Sequence, residues 1–281
     1  MKYKEAVEAY TSSTWFLELA SKTQNDYLYY LNYAGKLLPK TIKDVTPLLT
    51  DKIYLKVKNA KGERTALYVC SVMRRLWNYL YRMGHVPSVP WAQMGIKNNL
   101  KARTTIWDQA DVEAVIDKAH SKGLLGLALF VSLAYDTAQR PSDILSLTWD
   151  NIKEDTALSI DQQKTGASVC VPFTDRSKGL LQERRDKLPD TKMVVSTKTG
   201  LKFHLTNLHK EFIMVRNELG LSQSLQLRDL RRTALTELGN AGATEDEIMA
   251  VSGHKSRQVV SVYVKKTDQQ AMNAMNKRNM K

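Results

Sequence analysis

From Ser13 to Leu38, in STWFLELASKTQNDYLYYLNYAGKLL, apolar and aromatic residues recur at intervals of three and four. That period places them along one side of a helix, with Gly35 near its stop. A second such stretch, TALYVCSVMRRLWNYLYRMG, runs from Thr65 to Gly84. Leu67, Val72, Leu76 and Leu80 are expected on its inner face and Gly84 at the C′ position. Between the two lies DKIYLKVKNAKGER, rich in lysine, with a turn at Lys61–Gly62. Pro87 and Pro90 end helical structure. The polar, basic GIKNNLKARTT then predicts an extended linker, giving a helical domain over 1–96, a linker over 97–105 and a second domain over 106–281.

The second domain opens on WDQADVEAVIDKA, with Asp108 as N-cap and Asp111 in the first turn, where an acid favours the helix dipole. The run GLLGLALFVSLAY, Gly123 to Tyr135, is apolar all round and predicts a buried helix, too short to cross a bilayer. Pro141, following Arg140, suits the first position of another helix. From residue 157 the period changes to two. ALSIDQ and SVCVPF alternate around QKTGA, with Gly166 at the turn, which predicts a hairpin; MVVS, Met193 to Ser196, is a possible third strand. Helices return at LTNLHKEFIMVRNEL and LRDLRRTALTELGNAG, with breaks expected at Gly239 and Gly242. Thr244 and Glu247 carry a capping-box pattern. The expected fold is mostly α with a small antiparallel sheet.

Composition bounds the partners. Hydrophobic residues at 43% and charged residues at 25% are ordinary for a soluble domain, but a net charge of +13 is not. Such a surplus favours a polyanion, either nucleic acid or an anionic membrane surface. Residues 1–103 hold 17 Lys and Arg against 7 Asp and Glu, a net of +10, leaving +3 for the rest. A bias spread over a whole domain favours DNA over a merely solubilising face. The two cysteines, Cys70 and Cys170, match no metal spacing and are expected as core residues of a reduced, intracellular protein. MKYKEAVEAY lacks the apolar run of a secretion signal.

The five histidines show no H-x-x-x-H or H-E-x-x-H pattern, and the chain has no P-loop, G-x-G-x-x-G or nucleophile elbow. One group stands out: Arg140, Lys164, the arginines of RDLRR, His254 and Tyr263. A tyrosine among guanidiniums suits attack on a phosphodiester, since arginines bind non-bridging oxygens bidentately and offset charge in a pentacoordinate transition state. No divalent metal is then required, and nearby cations would favour the phenolate of a group with a free pKa of about 10.

The order of these residues resembles the tyrosine recombinases, the integrase and Xer class. TAQRPSDILSL is similar to the first arginine box, with Arg140 as the arginine and Asp143 as the acid. RDLRRTALTEL resembles the second, usually H-x-x-R, with Arg231 matching the arginine. SGHKSRQVVSVY resembles the third, a G-H followed nine residues later by the nucleophile, matched by His254 and Tyr263. Lys164 stands where the family keeps its hairpin lysine. Arg228 departs from the pattern, since histidine is commonest there. A guanidinium can hydrogen-bond phosphate but cannot exchange protons near pH 7, which leaves any acid–base duty of that position open.

The resemblance covers residues 105–265 and, more loosely, the helical first domain. It implies a C-shaped clamp of core-binding and catalytic domains on double-stranded target sites. It also implies strand cleavage through a 3′-phosphotyrosine on Tyr263, with Lys164 as general acid and Arg140, Arg231, Arg228 and His254 on the phosphate. Asp143 would orient the arginines. No cofactor, metal or ATP is implied. Expected DNA contacts are Lys56, Lys58, Lys61, Arg64, Arg74, Arg75, Arg82, Lys101, Arg103 and Arg232. The expected partners are a homotetramer joined through exchanged C-terminal tails (VKKTDQQAMNAMNKRNMK) on synapsed DNA, with accessory DNA-bending proteins compatible and no membrane. The expected location is the DNA of a bacterial cytoplasm. A phage or mobile-element integrase is the leading reading. A Xer-type resolvase, a type IB topoisomerase-like enzyme and a non-catalytic DNA-binding protein are the alternatives.

Overall fold

The computed structural model describes residues 1–95 and 103–263, together with residues 272, 275 and 276. The chain divides into two compact units, Met1–Arg103 and Thr104–Lys281. Most of the expected linker, including Lys101, and nearly all of the C-terminal tail lie outside the described residues.

The first unit is helical: α1 (Tyr3–Thr11), α2 (Thr14–Leu17), α3 (Ser21–Gly35), α4 (Pro47–Lys61) and α5 (Glu63–Arg82). Its core gathers Leu31, Val57, Val69, Met73, Leu76, Trp77 and Trp91. Val72, Leu76 and Leu80 point inward as the three-four period requires, while Leu67 is only partly buried. Each such large apolar side chain taken fully out of water contributes about 1.5–3 kcal/mol. Gly84 follows α5 with φ 73°, the left-handed stop that glycine adopts cheaply. One expectation is corrected here. The single helix over 13–38 is broken after Leu17, where the Gln24 side-chain amide donates to the carbonyls of Leu17 and Leu19 at 3.0 and 2.7 Å. The lysine-rich stretch is itself α4, separated from α5 by Gly62 at φ 85°.

The second unit begins with α6 (Gln109–Ser121), α7 (Leu125–Asp136) and α8 (Pro141–Leu145). Residues 125–134 of α7 are all buried, as its unbroken apolar run requires. Asp108 takes the N-cap position of α6 but its side chain makes no capping bond. Three antiparallel strands follow in the order β1 (Ile152–Lys153), β2 (Ala157–Asp161), β3 (Ser168–Pro172). Leu158 pairs with Val171 and Ile160 with Val169, which puts the apolar side chains of the hairpin on one buried face. The third strand is therefore β1; Met193 and Ser196 make only isolated bridges, to Thr148 and Lys202. Cys170 sits on the opposite face of β3 and is exposed, contrary to expectation, while Cys70 is buried.

Among the described residues the unit continues with α9 (Asp175–Lys187), α10 (Leu205–Glu218), α11 (Asp229–Asn240), α12 (Glu245–Ser252) and α13 (Arg257–Val260). The sequence pattern did not predict α9, whose inward positions include Ser177 and Arg184 beside Leu180 and Leu181. Gly239 lies inside α11 and does not break it. The capping box of α12 forms as expected, Glu247 N–H donating to Thr244 Oγ1 at 3.2 Å and Thr244 N–H to Glu247 Oε2 at 2.7 Å. Trp107 is buried and anchors the start of the unit on the α11 region. Its backbone N–H donates to Thr233 Oγ1 at 3.0 Å and its indole to the Gln226 carbonyl at 3.2 Å.

Candidate active site

The site assembles where the ends of α7, α8, α11 and α12 meet the root of the hairpin. Pro141 starts α8, so Arg140 stands at its N-cap in extended backbone, with no capping bond from its side chain. Arg231 lies in the first turn of α11 and is 8% exposed. Its Nη1 donates to the Ala138 carbonyl at 2.9 Å and its Nη2 to the Ser252 carbonyl at 2.8 Å. Ala138 holds a left-handed backbone at φ 53°, which costs a non-glycine residue roughly 1–2 kcal/mol and turns its carbonyl to the guanidinium. Burial, then the Arg140 charge, press the Arg231 pKa down to about 10; the Tyr263 and Asp143 charges act the other way. Arg231 therefore remains charged at neutral pH.

His254 follows Gly253, which ends α12 in the left-handed conformation at φ 65°. Arg231 Nη2 lies 3.1 Å from His254 Nε2, and His254 Nδ1 lies 2.7 Å from Ser252 Oγ. A guanidinium can only donate, so Nε2 accepts and Nδ1 carries the proton. Burial, Arg231 and Arg140 push the His254 pKa down to about 4, so the ring is neutral at neutral pH.

Tyr263 packs among Ala138, Ala234, Leu235, Ile248 and Val260 and is 9% exposed. Its ring stacks on His254 with centroids 6.3 Å apart and 27° between planes. The Arg232 guanidinium lies 5.7 Å from the centre of the same ring, in cation–π range. The tyrosine is thus buried in a small apolar cluster apart from the main core, with His254 and Arg232 against its ring.

Asp143, 2% exposed, accepts from the Gln163 N–H at 3.3 Å and stands 3.8 Å from Arg140 Nη1. Lys164 and Arg228 are exposed, Lys164 in the hairpin turn and Arg228 at the N-cap of α11. Among the described residues neither hydrogen-bonds Arg140, Arg231 or His254. Sequence reasoning missed Gln139 and Gln162. Both are fully buried, and Gln162 donates to Gln139 Oε1 at 2.6 Å and accepts from Arg140 Nη1. No periodicity marks a buried amide; only their places beside Arg140 and the hairpin turn could have drawn attention.

In the first unit several expected DNA contacts have partners within the fold. Arg74 Nε and Nη2 both donate to the Trp91 carbonyl, at 3.1 and 2.9 Å. Arg75 lies over Tyr27, Arg82 over Trp15, Lys61 over Tyr33 and Lys58 over Tyr54 at 5.3–5.9 Å, and Lys58 pairs with Glu63 at 3.5 Å. Lys56 and Arg64 are exposed on α4 and α5. Among the described residues no cluster of three or more His, Cys, Asp or Glu side chains is placed to hold a metal ion, and no helix is long and apolar enough to cross a membrane.

Comparison with solved structures gives the same fold. A lambda integrase (75–356) dimer bound to a COC′ core site matches with TM-score 0.80 at 18% identity, over 94% of this chain and 96% of that one. The Tn1549 transposon integrase (82–397) in complex with circular intermediate DNA matches with TM-score 0.79 at 12% identity, over 98% and 99%. A lambda integrase tetramer bound to a Holliday junction matches with TM-score 0.78 at 18% identity, over 94% and 78%. No curated protein sequence matches. Residues 106–270, more than half of the chain, match the Phage integrase family. The chain belongs to that family, the tyrosine recombinases.

Proposed function

We propose that this protein is a site-specific DNA recombinase of the integrase type, cutting and rejoining strands through a 3′-phosphotyrosine at Tyr263. The observation that carries the reading is the contact of Arg231 with His254, with the Tyr263 ring stacked on that histidine. Arg140 and Arg231 hold the two non-bridging oxygens of the scissile phosphate, and their fixed positive charge stabilises the transition state. The phenolic oxygen attacks phosphorus as the bond to the 5′ oxygen breaks; the phenol proton leaves to water, and Lys164 protonates the departing 5′ oxygen to give the 5′-hydroxyl. His254, neutral at neutral pH with its Nε2 accepting from Arg231, is a weak base there and serves to hold the Arg231 guanidinium in place for the phosphate. Arg228, exposed at the N-cap of α11, adds a phosphate contact. A 5′-hydroxyl from the partner strand then attacks the phosphotyrosine, so the bond energy is conserved without ATP, and no metal enters the steps.

The exposed cations of the first unit contact phosphates and set affinity more than sequence choice. The lambda integrase structures on a core site and, as a tetramer, on a Holliday junction support assembly of four copies on paired duplexes here. Exchange of C-terminal tails between copies, help from DNA-bending proteins and a place on bacterial DNA complete the proposal. A type IB topoisomerase would religate its own strand, and a non-catalytic binder would form no adduct. The distinguishing experiment uses two labelled duplexes taken from the flanks of the gene. Recombinant strands joining both are expected; relaxation of supercoils with no joined product would favour the topoisomerase.

A further inference from the structure

We infer that Gln162 is a positioning residue that sets the Arg140 guanidinium and the lysine-bearing hairpin turn as one unit. The inference rests on the recombinase reading above and deepens it.

Gln162 is the last residue before the turn that carries Lys164, and it is 1% exposed. Its hydrogen-bonding capacity is fully used. Nε2 donates to Gln139 Oε1 at 2.6 Å and to the Ser252 carbonyl at 2.8 Å. Oε1 accepts from Arg140 Nη1 and from Thr165 Oγ1, the latter at 2.8 Å. Its backbone closes the hairpin root, N–H to the Ala167 carbonyl at 2.9 Å and carbonyl from the Gly166 N–H at 2.8 Å. The Ser252 carbonyl that accepts from Gln162 also accepts from Arg231 Nη2. One amide therefore ties Arg140, the neighbour of Lys164, and the shared acceptor of Arg231. Gln139 extends the tie by donating to the Val251 carbonyl at 2.8 Å.

The chain is shaped around this side chain. A β-carbon at Gly253 would come within 2.5 Å of Gln162 Oε1. Gly253 is thus required both by its positive φ and by the amide beneath it. A neutral amide fits this place where a carboxylate does not. Glu would lose both donors and, lying against Arg140, would neutralise the charge that Arg140 presents to a phosphate. An apolar residue would leave the Gln139 Oε1 acceptor without its partner and Arg140 free to rotate.

The test compares single-turnover covalent-adduct rates of wild type, Gln162→Leu and Gln162→Glu on two nicked duplexes. These differ only at the scissile link, a phosphodiester in one and a methylphosphonate in the other. The methyl group replaces a charged non-bridging oxygen, so the neutral link demands less of Arg140. For Gln162→Leu, a misplaced guanidinium should slow the phosphodiester roughly a hundredfold and the methylphosphonate less than about threefold. Gln162→Glu should show the same selective loss while keeping the side-chain volume. Melting temperature and DNA binding are followed in parallel, and if Gln162→Leu fails to fold, Gln162→Glu carries the comparison. Equal slowing on both links, an unslowed Gln162→Glu, or loss of fold in both variants would overturn the inference by making Gln162 a stability residue only. Absence of adduct from wild type on either duplex would instead overturn the recombinase reading.

Discussion

Arg231 Nη2 donates to His254 Nε2 across 3.1 Å, and the same guanidinium reaches the carbonyls of Ala138 and Ser252. This partly buried contact fixes which histidine nitrogen carries the proton and holds the ring on which Tyr263 stacks. Several consequences can be measured.

The first concerns pH. His254 is pushed from 6.5 to about 4 by burial and by Arg231 and Arg140. Between those values the unfolded chain binds a proton there that the folded chain does not. Its contribution therefore makes stability rise with pH across that window and level off above 6.5. Melting temperature should fall more steeply from pH 7 to pH 4.5 in wild type than in His254→Asn. Parallel profiles would contradict the assignment.

Gly253→Ala should destabilise the protein by about 1–2 kcal/mol from the left-handed backbone alone, and should slow adduct formation as well by displacing Gln162. Urea denaturation reads the first effect, and single-turnover kinetics the second.

Arg74 and Lys56 should separate. Arg74→Ala removes both bonds to the Trp91 carbonyl and should cost roughly 1 kcal/mol of stability, while leaving the salt dependence of DNA affinity nearly unchanged. Lys56→Ala should spare stability and reduce the salt slope by about 1. Titrations at several salt concentrations, with melting curves alongside, check both.

Adduct formation should proceed at an undiminished rate in excess EDTA, because the arginines supply the charge that a divalent ion would otherwise bring. A rate that collapses in EDTA and returns with magnesium would show that the guanidiniums are insufficient.

Much of this architecture was legible in the chain because burial sets its hydrophobic pattern, one face for α5 and the hairpin and every face for α7. The three-four period of α5, the unbroken apolar run of α7 and the alternation of β2 and β3 follow directly from which side chains leave water. What escaped the pattern was held by polar groups. Helix α9 keeps Arg184 inside through its bonds to Ser196 Oγ and the Thr197 carbonyl, and Ser177 through Asp136 at 2.7 Å. The break after Leu17 depends on the Gln24 amide. At the site, the order of Arg140, Arg231, His254 and Tyr263 was readable through its resemblance to the family's three boxes, and the first three come together as a partly buried polar cluster with Tyr263 stacked on its histidine. The left-handed Ala138 and the Gln139–Gln162 pair were not, since a backbone carbonyl turned to a guanidinium and a buried amide leave no trace in hydrophobic period.

The most direct measurement is covalent capture on a labelled, nicked target duplex, followed by protease digestion and mass identification of the peptide that retains nucleotide. Wild type is expected to carry the 3′ end of DNA on Tyr263, and Tyr263→Phe to bind the duplex with unchanged affinity and carry none. An adduct that persists in Tyr263→Phe, or one found on another residue, would contradict this.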